Sequence, residues 1–351
     1  MNLSRVKSFA ASPAGLVTGA VAISAAATAL WVQSRARRAE REHPPRGRFI
    51  DVGNTRLHYV ERGEGPPVVL IHGNGVSLTD FEASGLTDQL ARNHRVIAFD
   101  RPGFGHSTRP RDRLWTPTAQ AEVLHAALGV LGVEKPVVVG HSMGTLVALA
   151  MALDHPSDVG SLVLLGGYYY PTVRVDALLT APVVLPLIGD AMRYTVTAVS
   201  SRTLIDRAVQ GMFAPKDVPP HFFSVLSREM MVRPGQIRAN AEDATFIVPA
   251  AAAGMKRYNE LRMPVTIIAG ADDGVVDPEA HSVRLHGDVP QSKLLVEPKI
   301  GHMVHYSVPD RIVSIVGNES STVALPAVAS IPVVGQGMPQ EAFGQPANTG
   351  R

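Results

Sequence analysis

Between Lys7 and Arg35 the chain carries no charged side chain, and Gly15 to Val32 (GLVTGAVAISAAATALWV) is mostly apolar. Past Arg48 the pattern changes to short apolar runs punctuated by Gly and Pro. RFIDVGNTRLHYVERG (48–63) alternates and breaks at Gly53-Asn54, which predicts an antiparallel hairpin. PVVLIHG (67–73), RVIAFD (95–100), PVVVGHS (136–142), SLVLLGG (161–167), PVTIIAG (264–270) and SKLLVEP (292–298) are continuous apolar runs. Such runs suit strands covered on both faces, as in a parallel sheet. Helical patterns stand between them, over Thr118–Leu131 and Gly144–Leu153. The alternation predicts an α/β fold with a doubly wound, mostly parallel sheet.

The alternation stops between Tyr168 and Met255, where apolar segments with helical character replace strands. That interruption is too long for a loop, so a helical cap inserted into the sheet domain is expected over 168–255. The core then comprises 48–167 and 256–316, preceded by a leader over 1–47. Residues 317–351 are rich in Pro, Gly, Ser and Gln without a sustained period, and a disordered tail is expected there.

Charge refines this division. Residues 1–48 hold 8 Lys+Arg against 2 Asp+Glu, and residues 49–351 hold 25 against 29. The excess positive charge therefore sits in the leader, and a mildly acidic body argues against nucleic acid as a partner. The absence of cysteine excludes a disulfide framework, a thiolate metal site and a cysteine nucleophile.

The uncharged run of 18 residues is at the short end of what spans a bilayer. Trp31 stands at its end, and Arg35, Arg37, Arg38 and Arg41 follow. A retained single-span anchor at about 15–32 is the favoured reading, with the body on the cytoplasmic side. A signal cleaved after Ala25-Ala26-Ala27, with export, is the alternative. Because the catalytic pattern begins only after Arg48, removal of 1–47 is expected to leave a soluble, active protein.

Gly140-His141-Ser142-Met143-Gly144 is a G-x-S-x-G between a buried-type strand and a small-residue helix. This is the setting of a nucleophile elbow, in which flanking glycines permit a strained turn that lifts the serine above the sheet edge. A serine hydroxyl needs a base, and the base an orienting acid, in the chain order Ser, acid, His. Ala271-Asp272-Asp273-Gly274 ends one apolar run, and Gly301-His302 follows the last. Acids and histidines at strand carboxyl ends are where an open α/β sheet builds its site.

Together, the elbow, GADDGVVDP (270–278), GHMVH (301–305), VLIHGNG (69–75) and DRPGFGHS (100–107) resemble the serine-hydrolase branch of the α/β-hydrolase superfamily. The resemblance covers about 48–316. It implies an eight-stranded, mostly parallel sheet and a Ser–His–Asp triad. Ser142 matches the nucleophile and His302 the base. The acid's usual distance from the strand-closing Gly selects Asp273 over Asp272, and leaves Asp277 as a helix cap. His305 is a rival to His302, read as a surface or cap-contact histidine. The backbone N–H groups of Asn74 and Met143 match the oxyanion donors, and His72 is read as a brace of the oxyanion loop. The Asp100–Ser107 turn is read as architecture, with Phe104 a pocket wall. Tyr168-Tyr169-Tyr170 is read as packing between cap and core.

A serine at the elbow argues against the dehalogenase and epoxide hydrolase activities of this fold, which use Asp there. The expected reaction is hydrolysis of an apolar ester-type acyl substrate through an acyl-enzyme, without metal or organic cofactor. The alternatives are a cofactor-free perhydrolase or haloperoxidase-like enzyme, and a non-catalytic ligand-binding protein on the same fold.

Overall fold

The computed structural model describes residues 13–173 and 180–324. The expectations for the first basic residues, for 174–179 of the cap and for 325–351 of the tail lie outside the described residues.

The eight apolar segments form one eight-stranded sheet. The strands are β1 (Arg48–Val52), β2 (Thr55–Arg62), β3 (Pro67–Ile71), β4 (Arg95–Phe99), β5 (Val137–His141), β6 (Ser161–Leu165), β7 (Val265–Gly270) and β8 (Lys293–Glu297). Their order is β1-β2-β4-β3-β5-β6-β7-β8. The hairpin β1–β2 pairs antiparallel, with Val52 opposite Thr55. Gly53 supplies the positive φ of the turn, at 58°. β2 joins β4 antiparallel, and every pair from β4 to β8 is parallel.

Alternate side chains of the central strands feed two cores. Val69, Ile71, Ile97, Phe99, Val138, Leu162, Leu164 and Ile267 lie with Leu124, Val147 and Met151 on one side. Val68, Leu70, Val96, Ala98, Val139, Leu165 and Ile268 lie on the other, with Phe81, Leu86, Ile312 and Val316. Burial on both faces is why these strands read as unbroken apolar runs.

The helices that matter for the site are α1 (Pro13–Glu42), α2 (Thr79–Ala83), α3 (Pro117–Val130), α4 (Met143–Asp154), α5 (Ile188–Tyr194), α6 (Val196–Phe213), α7 (Pro234–Gly254) and α8 (Pro309–Ala324). α3 starts where its chemistry dictates. The Thr116 hydroxyl accepts from the Ala119 N–H, and Pro117 occupies the first turn. α5, α6 and α7 belong to the insertion between β6 and β7.

Two boundaries differ from the sequence reading. The helix starting at Pro309 continues to Ala324, so residues 317–324 are helical rather than a disordered tail. Ile312 and Val316 lie fully buried in the second core, Ser320 Oγ donates to the Val316 carbonyl, and Lys293 donates to Glu319 at 3.1 Å. The polar run Asn318–Thr322 hides this, because burial at Ile312, Val316 and Ser320 sets the helix, not its composition.

The leader is not a detached extension either. α1 runs past the uncharged stretch, and Val32, Ala36 and Ala39 are buried. Val32 packs with Val183, Ala198, Ile237 and Ala241 of the insertion. Arg35 and Arg202 both donate to Glu229, and Arg233 donates to Glu40 at 2.7 Å. The second half of α1 is therefore part of the packed body.

Candidate active site

Ser142 sits between β5 and α4 with φ 51° and ψ −120°, a conformation that L-residues rarely adopt. Its neighbours explain how the turn is held. A Cβ at Gly144 would lie 2.1 Å from the Ile71 carbonyl oxygen, and one at Gly140 would lie 2.7 Å from that of Gly144. Ser142 N–H donates to Leu165 O at 2.9 Å, which ties the elbow to β6. The serine therefore stands at the N-terminus of α4, where the helix dipole favours developing negative charge.

His302 follows β8 and is buried. Its Nδ1 donates to Asp273 Oδ2 at 2.8 Å. The other oxygen of Asp273 accepts the N–H groups of Val275 and Val276 at 2.8 and 2.9 Å. The carboxylate is thus fixed on three donors, and His302 is left with its Nε2 lone pair free for a proton. Asp272, by contrast, is exposed. Asp277 Oδ1 accepts from Glu279 and Ala280 N–H, as a helix cap does.

The structure brings Asp273 and His302 together directly. Ser142 Oγ forms no hydrogen bond with the His302 ring; such contacts are commonly loose without substrate. The elbow and the histidine nevertheless adjoin, since the His141 ring lies 5.0 Å from that of His302. Among the described residues, the N–H groups of Asn74 and Met143 have no hydrogen-bond acceptor. The adjacent Gly75 N–H is engaged, donating to Asn240 Oδ1 of α7 at 2.8 Å.

The loop carrying Asn74 is braced by a buried network that the sequence does not reveal. Arg101 is fully buried and uses all five of its donors. Nε donates to His72 O at 2.9 Å, Nη2 to Gly73 O and Asn74 Oδ1, and Nη1 to Gln120 Oε1 and Asp243 Oδ2. Asp243 lies on α7 and also accepts from Arg109 and Gln120. His72 receives the Arg101 N–H on Nε2 and donates from Nδ1 to Gly73 O. Burial, followed by the Arg101 charge, pushes His72 down to about 4, so it is a neutral brace. Phe104 packs its ring 5.2 Å from His72 beneath this loop. Asp100 orders the same turn, accepting from Leu78 and His106 N–H and from His58 Nδ1.

His305 is corrected. It is neither a surface nor a cap-contact residue but fully buried, and its Nε2 donates to Asp80 Oδ2 of α2 at 3.0 Å. Tyr306 OH donates to Asp80 Oδ1 at 2.9 Å. Of the tyrosine run, Tyr168 packs between core and insertion as expected, with Met143, Leu146, Ile247 and Ala251, whereas Tyr169 and Tyr170 lie in the first core and their N–H groups donate to His281 Nδ1.

With this geometry in place, the relatives of the chain can be compared. The alpha/beta hydrolase fold family model matches residues 66–309. The 2-hydroxymuconate semialdehyde hydrolase of Pseudomonas putida is 28% identical over 286 residues, covering 80% of this chain and 96% of its own. An uncharacterized protein of Mycobacterium bovis is 29% identical over 293 residues, covering 78% and 80%. Among solved structures, a thermophilic esterase from Thermogutta terrifontis is similar with TM-score 0.65 at 22% identity, covering 79% of this chain and 99% of its own. An alpha/beta hydrolase fold protein from Burkholderia ambifaria reaches TM-score 0.67 at 23% identity, covering 77% and 97%. The structural likenesses speak to the fold, and the family match extends over most of the chain. The chain belongs to the alpha/beta hydrolase fold family.

Proposed function

We propose that the protein is a serine hydrolase that cleaves an uncharged, ester-type acyl substrate. Ser142 is the nucleophile, His302 the general base and Asp273 the residue that orients it. The observation that carries this reading is the Asp273–His302 pair at 2.8 Å beside a serine held at φ 51°. Asp273 keeps the proton on Nδ1, so Nε2 accepts the Ser142 proton as Oγ attacks the carbonyl. The oxyanion forms against the N–H groups of Asn74 and Met143, near the positive end of α4. The imidazolium then protonates the leaving alcohol, and water, activated by the same histidine, releases the acid. Residues 168–255 serve as a helical cap over this site.

An uncharged substrate is favoured because the buried cation nearest the oxyanion loop is already spent. Arg101 has no donor left for a substrate carboxylate, and Asp243 neutralises it at 2.5 Å. A second reading is favoured by one comparison: a relative matching 80% of this chain is named for hydrolysis of 2-hydroxymuconate semialdehyde. On that reading the same serine chemistry cleaves a C–C bond.

The uncharged part of α1 acts as a single-span anchor, with the body on the arginine-rich, cytoplasmic side. The soluble alternative is decided by a carbonate wash of membranes carrying the full chain. The catalytic reading is tested by fluorophosphonate labelling of Ser142 and a p-nitrophenyl ester chain-length panel, run beside 2-hydroxymuconate semialdehyde. Turnover of esters with labelling at Ser142 is expected. Turnover of the semialdehyde alone would replace the ester reading by C–C hydrolysis, and labelling elsewhere would remove Ser142 from the mechanism.

A further inference from the structure

Five exposed aliphatic side chains of the body fall on neighbouring elements of the insertion. Leu185, Leu187, Ile188, Val196 and Val199 are all exposed, and Leu187 is 82% exposed at φ 65°. They belong to α5, the start of α6 and the turn before them. The same elements receive α1: Val32 is buried against Val183 and Ala198, with Met192 and Tyr194 beside them. One residue earlier the environment changes. Trp31 and Leu30 are 48% and 69% exposed, and Arg202 of α6 lies over the Trp31 ring at 5.3 Å. The aliphatic residues therefore lie on the same elements that seat α1 at Val32.

The length of the apolar stretch gives this arrangement a consequence. An α-helix rises 1.5 Å per residue, so the stretch Gly15–Val32 spans about 27 Å, close to a hydrocarbon core of about 30 Å. A helix clamped to the body from Val32 onward cannot pay out more apolar length. Beside the buried Val32, Arg35 and Arg202 meet Glu229 at 2.9 and 2.8 Å and Arg233 meets Glu40 at 2.7 Å. A span that ends at Val32 would leave the surface around Val32 at the bilayer interface. Arg37, Arg38 and Arg41 follow within three turns and are exposed, where anionic headgroups attract them.

We infer that the aliphatic rim Leu185, Leu187, Ile188, Val196 and Val199 docks into the interfacial region of a lipid bilayer, so that the protein sits on the membrane with its insertion face down. This rests on the anchor reading above. It explains why five aliphatic side chains are displayed in water's place beside the exit of α1, where exposed apolar clusters mark interaction surfaces. It also sets the distance to the chemistry. α7 turns Ile237 and Ala241 toward the leader, and Asn240 and Asp243 toward the oxyanion loop. The site is thus one helix away from the docked face.

The chain has no cysteine, so single cysteines report cleanly. The full-length protein carries an NBD label at Ile23→Cys, Leu187→Cys, Val196→Cys or Val130→Cys, in vesicles of phosphatidylcholine and phosphatidylglycerol. Val130 is 73% exposed at the end of α3 and serves as the water-facing reference. The labels at 187 and 196 are expected to blue-shift, brighten severalfold relative to 130 and be quenched by a doxyl lipid. If the label at 23 responds while those at 187 and 196 match 130, the anchor stands and the docking is overturned. If none responds, both fail. A response at 187 and 196 without one at 23 supports docking and removes the span.

Discussion

The His141 ring reaches the main-chain carbonyl of His302, its Nε2 lying 3.2 Å from that oxygen. A carbonyl can only accept, so His141 donates from Nε2 and keeps its proton there. Burial, with the neighbouring His305 and His302 next, holds its pKa well below the ordinary histidine range, so the ring is neutral. A residue of the elbow therefore fixes the backbone of the residue proposed as base. Behind it, the His305 ring lies 4.5 Å away and is held by Asp80.

His141→Phe keeps a ring in the space and removes the donor. Loss of one neutral hydrogen bond is worth about 1 kcal/mol, so kcat for a p-nitrophenyl ester is expected to fall by roughly fivefold to tenfold. KM should change little, because His141 is buried. An unaltered kcat in a folded variant would show that the bond does not position His302.

Ser142→Ala should lower kcat by about 10⁴ or more while the protein stays folded. Ser142→Gly should be equally inactive yet melt higher than Ser142→Ala, since glycine relieves the positive φ, which costs on the order of 1–3 kcal/mol. Equal melting temperatures would mean that the elbow is not strained.

Asp273→Asn should reduce kcat by about 10³–10⁴ through the wrong imidazole tautomer, whereas Asp272→Asn should be mild. The contrast follows from geometry: Asp273 is buried on the His302 ring, and Asp272 is exposed. Comparable losses in both would assign the turn a folding role instead.

What the sequence discloses here is what its local patterns encode. Two-sided burial leaves unbroken apolar runs, which is why β3 to β7 are readable. The elbow's glycines fall within one five-residue motif, and Asp273 is selected by its distance from Gly270. Long-range polar pairs leave no such trace. Arg101 meets Asp243 across 142 positions, and His305 meets Asp80 across 225. The seat of Val32 is likewise built from four residues of the insertion, so the leader looks separate in sequence and is packed in space.

Stability should fall in mild acid as the histidines of the unfolded chain take up protons. An unfolded histidine binds its proton near pH 6.5, while His72 resists protonation down to about 4. Between those values the unfolded chain holds more protons, so stability rises with pH and is lost as pH falls. His72 alone accounts for about 3 kcal/mol across that window, and neutral His141 adds to it. The urea midpoint is expected to drop between pH 6.5 and 4, with a shallower slope in His72→Asn. A flat profile there would show that neither histidine is buried neutral.

Truncation within the leader separates its two halves. Removing residues 1–30 deletes the exposed apolar part of α1 and leaves Val32, Ala36 and Ala39 in place. Removing 1–47 strips the seat formed by Val183, Ala198, Ile237 and Ala241, and leaves Glu229 without Arg35 and Arg233 without Glu40. Exposing that seat costs about 2 kcal/mol for Val32 and its neighbours, at about 25 cal/mol per Å². The half-exposed ion pairs add at most a fraction of that. A loss of this size lowers Tm by about 3–4 °C in a body of this length. The 31–351 chain is therefore expected to melt close to the full chain, and the 48–351 chain several degrees lower. Because α7 joins the leader's seat to the Asn74 loop, ester turnover by the shorter chain should also fail at a lower temperature. Identical melting of the two truncations would reduce the docked half of α1 to a contact without energetic weight.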